Sequence, residues 1–64
     1  AVRLARKSVV SDINIKKGVQ ITKDMITWKR PGTGISPKET NYIIGRVAKQ
    51  DIPEDTTLTW EMFV

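Results

Sequence analysis

The chain carries no cysteine and no histidine among its 64 residues, so acids, cations and hydroxyls are what remains for chemistry. Zinc sites are built chiefly from thiolates and imidazoles, and Cys/His nucleophilic catalysis needs both side chains. Neither class is open to this sequence. The seven acids, Asp12, Asp24, Glu39, Asp51, Glu54, Asp55 and Glu61, do not fall at the spacing with which an EF-hand loop wraps a hard cation. No metal and no catalytic residue is assigned to this chain.

The stretch that stands out is WKRPGTGIS, residues 28–36, where an aromatic, two cations, a proline and two glycines crowd together. Pro31 fixes its own φ and pushes Arg30 out of the helical region into an extended conformation. Gly32 and Gly34 lack a Cβ and let another chain or a ligand approach the backbone. A guanidinium presented from such a loop is a fork of donors suited to carboxylate, phosphate or amide oxygen, with less ordering entropy to lose than a free side chain. The residues alone leave two readings open: a recognition device centred on Arg30, or a Pro-Gly turn carrying two solvated cations. Strand alternation sets Ile26 and Trp28 on one face and Thr27 and Lys29 on the other, so Lys29 is expected in solvent. Trp28 and Trp60 are expected to be buried in the core or against a partner, since the aromatic supply is only these two, Tyr42 and Phe63.

The elements that must position this loop are short. "SVV" at 8–10, "MITWK" at 25–29 and "GRVAK" at 45–49 are β-branched or alternating and read as strands. "SPKETNYIIG" carries a helix signature over residues 37–43: Ser36 as N-cap, Pro37 first, Glu39 three after the cap and Gly45 as the stop. A shift of 37 positions lays "INIKKGVQITKDMI" over "KQDIPEDTTLTWEMF", so that Ile15 meets Ile52, Ile21 meets Leu58, Thr22 meets Thr59 and Met25 meets Met62. Gly18 falls on Asp55, both turn residues. Each copy ends in a Thr followed by an acid, Thr22 with Asp24 and Thr59 with Glu61, which predicts one helical turn. Two copies are too few for a solenoid but suit one domain with pseudo-two-fold symmetry. The sum is a mostly β domain with short helical turns.

Size and charge point to partners. A domain of this length buries only about 60% of the surface its unfolded chain exposes, and it lacks disulfides to compensate. A permanent partner is therefore expected. The net charge of +4 is uneven. Residues 1–50 hold all eleven Lys and Arg against three acids, giving +8, whereas residues 51–64 hold four acids and no base, giving −4. Such a basic face attracts anions, whether nucleic acid or small phosphorylated and carboxylated substrates, unless it is a solvated surface with a basic leading arm at Arg3, Arg6 and Lys7. No apolar run approaches the roughly 20 residues of a membrane helix, so cytoplasm is the expected compartment. The start "AVRLARK" reads as part of a longer protein.

Taken together, "RKSVVSDINIKKG", "ITKDMITWKRPGTGISP" and "IIGRVAKQDIPEDTTLTWEMF" resemble the C-terminal antifreeze-like, or SAF, domain of bacterial sialic acid synthases, and are also similar to type III antifreeze proteins. The resemblance covers residues 6–64, and "KRPGTGISP" followed by "IGR" and "DI" is its most specific part. It implies a β-clip fold with internal pseudo-two-fold symmetry, residues 1–7 serving as an arm from a preceding domain and residues 8–64 forming the SAF domain. In that family a TIM barrel condenses phosphoenolpyruvate with N-acetylmannosamine or a related sugar, using Mn2+ or Mg2+. Those ligands and acid/base groups belong to the barrel, so no cofactor is expected here and this chain alone should not turn over.

The resemblance further implies a domain-swapped homodimer in which this domain caps the other subunit's barrel, and in which the arginine of KRPG reaches the sugar's N-acyl group. That arginine is Arg30; Pro31, Gly32, Thr33 and Gly34 shape the loop. Neither nucleic acid nor membrane is an expected partner. The rival readings are ice binding and nucleic-acid binding. Against the first, Gly18, Val19 and Gln20 stand where antifreeze relatives have short polar and small groups, with Arg46 as a nearby charge. Against the second, the basic stretch has no interleaved aromatics and no groove-reading motif.

Overall fold

The computed structural model describes residues 6–64; Arg3 and most of the expected leading arm lie outside them. Two strands form an antiparallel sheet: β1, Ser8–Ser11, and β2, Ile26–Lys29, in the register Ser8↔Lys29 to Ser11↔Ile26. Short 3-10 turns at Lys23–Met25 and Trp60–Met62 close the two copies of the sequence repeat. A third, Pro37–Glu39, runs straight into helix α1, Thr40–Ile43. The fold is mostly β with short helical turns, as its sequence pattern predicts.

The 37-residue repeat is visible in the hydrogen bonds. Ile15 and Ile52 exchange both of theirs, Ile15 N–H to Ile52 C=O at 2.8 Å and the reverse at 2.7 Å, so these residues face each other across the pseudo-two-fold axis. Around them the bonds come in related pairs. Gly18 N–H donates to Ala48 C=O and Asp55 N–H to Ser11 C=O, both at 2.8 Å; Ile21 N–H donates to Arg46 C=O as Leu58 N–H does to Val9 C=O. The bridges Val10↔Thr57 and Gln20↔Val47 are likewise one interaction seen twice. These pairs join the first copy to the second, so the halves are interlocked and neither can form its ladder alone.

The core lies on this axis: Val9, Ile15, Ile21, Ile35, Ile43, Ala48, Ile52, Leu58 and Phe63 form one buried cluster. It is almost wholly aliphatic. That composition explains why, of the two places expected for the tryptophans, the core is not where they lie. Trp28 is 48% exposed and Trp60 41%, because an indole placed among close-packed Ile and Val would have to bury its N–H without a partner. Trp28 Nε1 instead donates to Thr40 Oγ1 at 3.2 Å at the rim, and the Arg46 guanidinium lies over the Trp60 ring, 5.4 Å from its centroid.

Two local expectations also shift. Residues 45–49 form no strand: they correspond by the repeat to β1, but their partner segment supplies a single bridge, Ala48↔Phe63, flanked by the bonds from Lys49 N–H to Met62 C=O and from Val64 N–H to Val47 C=O. Thr22 and Thr59 do occupy the N-cap positions, with extended backbones, but neither side chain caps. Each 3-10 segment is three residues long, so few backbone donors await a cap. At the longer helical segment the reading holds: Ser36 Oγ accepts from Lys38 N–H, Pro37 opens it, and Gly45 follows it with φ +94°.

Candidate functional site

The loop of residues 30–36 leaves β2 and crosses the seam between the halves. Arg30 and Pro31, joined by a cis peptide, are exposed. Among the described residues the Arg30 guanidinium makes no hydrogen bond and no ion pair. It lines none of the described cavities. Its five N–H donors face solvent in a planar fork that matches carboxylate, phosphate or amide oxygen. Lys29, next to it, is spoken for: its Nζ donates to Asp55 Oδ1 at 2.7 Å. That hydrogen bond first, and then the charge of Asp55, raise the ammonium above its usual pKa of 10.5. Lys29 is thus solvent-facing, as alternation predicts, and paired.

The loop itself is held at several points. Ser8, at the start of β1 and fully buried, places its hydroxyl between two backbone groups of the loop: it donates to Pro31 C=O at 2.5 Å and accepts from Gly34 N–H at 2.9 Å. The direction is fixed by chemistry, since a carbonyl can only accept and an N–H can only donate. One residue on, Val9 N–H donates to Ile35 C=O at 2.9 Å, and Ile35 is in the core. Ser8 and Val9 therefore tie the loop down immediately beyond Arg30.

The two glycines are required by close approach. A Cβ on Gly34 would stand 2.6 Å from Thr57 Cγ2 and 3.0 Å from Leu58 C=O, which belong to the other half of the repeat. A Cβ on Gly32 would strike Arg6. The sequence reading expected these glycines to admit another chain or a ligand; in the structure the space beside them is taken by residues of the domain itself. Thr33 stays exposed at the tip between them.

On one side of the loop a cavity of about 450 Å³ is bounded by Gly32, Gly34, Arg6, Lys7, Lys38 and Glu39. On the other, one of about 280 Å³ is bounded by Thr33, Gly34, Leu58, Trp60 and Glu61. Among the described residues no group of three or more acids is placed to hold a metal ion, and no helix is long and apolar enough to cross a membrane. Sequence reasoning singled out Arg30 and its loop and passed over Ser8, which anchors that loop. A serine opening a β-branched strand looks like an edge residue, and the Pro31 and Gly34 groups that occupy its hydroxyl are more than twenty positions away.

Comparison with known proteins agrees with this geometry. Residues 6–64 match the SAF domain family. The chain belongs to that family. SAF relatives include an uncharacterized protein of Methanocaldococcus jannaschii, 44% identical over 57 residues, and the N,N'-diacetyllegionaminic acid synthases of Legionella pneumophila, 40% over 58 residues, and Campylobacter jejuni, 35% over 54. These matches cover 84–91% of this chain and 16–17% of the relatives, so the chain spans about one sixth of their length. A solution structure of an antifreeze protein like domain in human N-acetylneuraminic acid phosphate synthase superposes with a TM-score of 0.92 at 26% identity, covering 100% of this chain and 82% of that one. The SAF, or antifreeze-like, fold and the kinship with nonulosonic acid synthases follow.

Proposed function

We propose that this SAF domain is the C-terminal cap of a nonulosonic acid synthase, with residues 1–7 as the joining arm, and that it lends Arg30 to the substrate site. The observation that carries the reading is an exposed guanidinium with no partner among the described residues, on a loop tied to buried Ser8 and to core residue Ile35. The kinship with two N,N'-diacetyllegionaminic acid synthases supports a nonulosonic acid as the product class, and the substrates in this proposal are an amino sugar and phosphoenolpyruvate. The catalytic groups and the Mn2+ or Mg2+ lie in the TIM barrel of the whole protein. The domain covers the barrel of the other subunit in a domain-swapped homodimer, in the cytoplasm, with no nucleic acid or membrane involved.

Closing a barrel mouth excludes water, which strengthens each polar contact inside it. Arg30 then donates to the N-acyl oxygen of the sugar. Because its backbone is already held, little ordering entropy is lost on binding. The barrel also supplies burial that a chain of this size cannot.

Delivery from the other subunit is tested by mixing two impaired proteins, one inactivated by removal of a barrel metal ligand and one weakened by Arg30→Ala, at subsaturating amino sugar. A heterodimer then contains one site with an intact barrel and an intact Arg30, and activity rises well above that of either parent. No gain on mixing contradicts delivery in trans. Ice binding is not favoured: the Gln20 amide is tied to Gly45 C=O, and Arg46 adds a charged group over Trp60. The domain alone is expected to show no thermal hysteresis.

A further inference from the structure

Ser8 has a counterpart in Ser11, at the other end of β1. Ser11 is also buried, at 1% exposure, and its hydroxyl makes the same kind of bridge: it donates to Pro53 C=O at 2.6 Å and accepts from Thr56 N–H at 2.9 Å. In both cases one hydroxyl is inserted between the C=O of a proline and the N–H three residues later, the two groups that would bond directly in a closed turn. Strand β1, read SVVS, thus grips two turns with its two ends while both valines enter the core. The turn held by Ser8 begins at the residue after Arg30. The turn held by Ser11 contains Asp55 and carries no unpaired cation.

We propose that Ser8 is a positioning residue, whose hydroxyl sets the geometry of residues 31–34 and through them the aim of Arg30, while Ser11 performs the same bridging for stability alone. The proposal rests on the synthase reading above and adds to it a residue that never touches the sugar. The physical ground is the asymmetry of a buried hydrogen-bond partner. Removing the hydroxyl strands Pro31 C=O and Gly34 N–H together, and the loop must move to find other partners. A guanidinium displaced by about 1 Å loses about tenfold or more in productive geometry.

The test compares Ser8→Ala, Ser11→Ala and Arg30→Ala in two assays. Amide exchange on the chain reads the bridges directly. Ser8→Ala accelerates Gly34 N–H and leaves Thr56 N–H protected, and Ser11→Ala does the reverse; an unmoved Gly34 overturns the bridge. Steady-state kinetics on the full-length synthase read the consequence. Ser8→Ala raises KM for the amino sugar about tenfold and leaves KM for phosphoenolpyruvate unchanged, while Ser11→Ala changes neither although both variants unfold at lower denaturant. An unchanged sugar KM in Ser8→Ala, alongside a raised one in Arg30→Ala, overturns the positioning role. The same rise in both serine variants overturns it too, by reducing the effect to general loosening. If Arg30→Ala itself is without effect, the substrate-contact role of Arg30 fails and the positioning role with it, while exchange still reports whether the bridge exists.

Discussion

The two halves of this domain share a frame and differ in what they display. Residues 8–29 and 45–64 repeat the same cross-chain bonds around Ile15 and Ile52, the same 3-10 turn before the last strand segment, and the same positive-φ turn position, filled by Gly18 in one and Asp55 in the other. The first half is edged with lysines and passes into the Arg30 loop. The second carries Asp51, Glu54, Asp55 and Glu61. Stability is thus a property of the symmetric part, and the recognition role proposed above belongs to the asymmetric part. The loop of residues 30–36 has no counterpart in the repeat, yet both halves hold it: Ser8 from one side, Thr57 and Leu58 against Gly34 from the other.

If the frame is symmetric, equivalent truncations cost the same. Ile15→Ala and Ile52→Ala, 2% and 1% exposed, each lose about 2–5 kcal/mol, a large part of the roughly 3–10 kcal/mol expected for a domain of this size. Denaturant unfolding checks this; a difference much beyond about 1 kcal/mol between them breaks the symmetry. Next comes the seam. Gly34→Ala forces Leu58 C=O and Thr57 to shift and costs about 1–3 kcal/mol, whereas a stability equal to wild type would show that the second half does not clamp the loop.

The turns sharpen the comparison further. Gly18 has φ +89° and open space around its Cβ position, so Gly18→Ala meets only the left-handed backbone cost of about 1–2 kcal/mol. Asp55→Gly relaxes φ +64° but gives up the Lys29 contact and adds chain entropy to the unfolded state. It should stay within about 0.5 kcal/mol of wild type. The smallest effect belongs to Lys29→Met. The Lys29–Asp55 pair is exposed, at 54% and 65%, and water and salt screen it. Since the bond to Asp55 raises the Lys29 pKa above 10.5, its contribution is present below that pH and is lost as pH rises through the folded-state value. Wild type and variant therefore differ slightly at neutral pH and low salt, and the difference disappears in strong alkali or 1 M salt.

The sequence announced the frame through residues whose role is local or repeated. Pro37 and Gly45 mark the helix ends, Gly18 and Asp55 the turns, and the 37-residue repeat the symmetry. The loop was legible for the same reason, since Pro31, Gly32 and Gly34 restrict or free their own backbone. What could not be read was long-range. Ser8 meets Pro31 across 23 positions and Ser11 meets Pro53 across 42, and no spacing rule connects them. Of the two places expected for the tryptophans, the core proved wrong, because an aromatic in a small domain suggests core. The axis had already been filled by isoleucines, and the indole N–H of Trp28 was better served by Thr40 at the edge.

The account stands or falls on Arg30. In the full-length synthase, steady-state condensation of phosphoenolpyruvate with the amino sugar is compared between wild type and Arg30→Ala. Loss of one donor to a buried acyl oxygen predicts a fall of about five- to a hundredfold in kcat/KM for the sugar, in a protein that remains folded and dimeric. A variant as active as wild type would contradict the account, leaving Arg30 a solvated turn residue and the domain a structural cover.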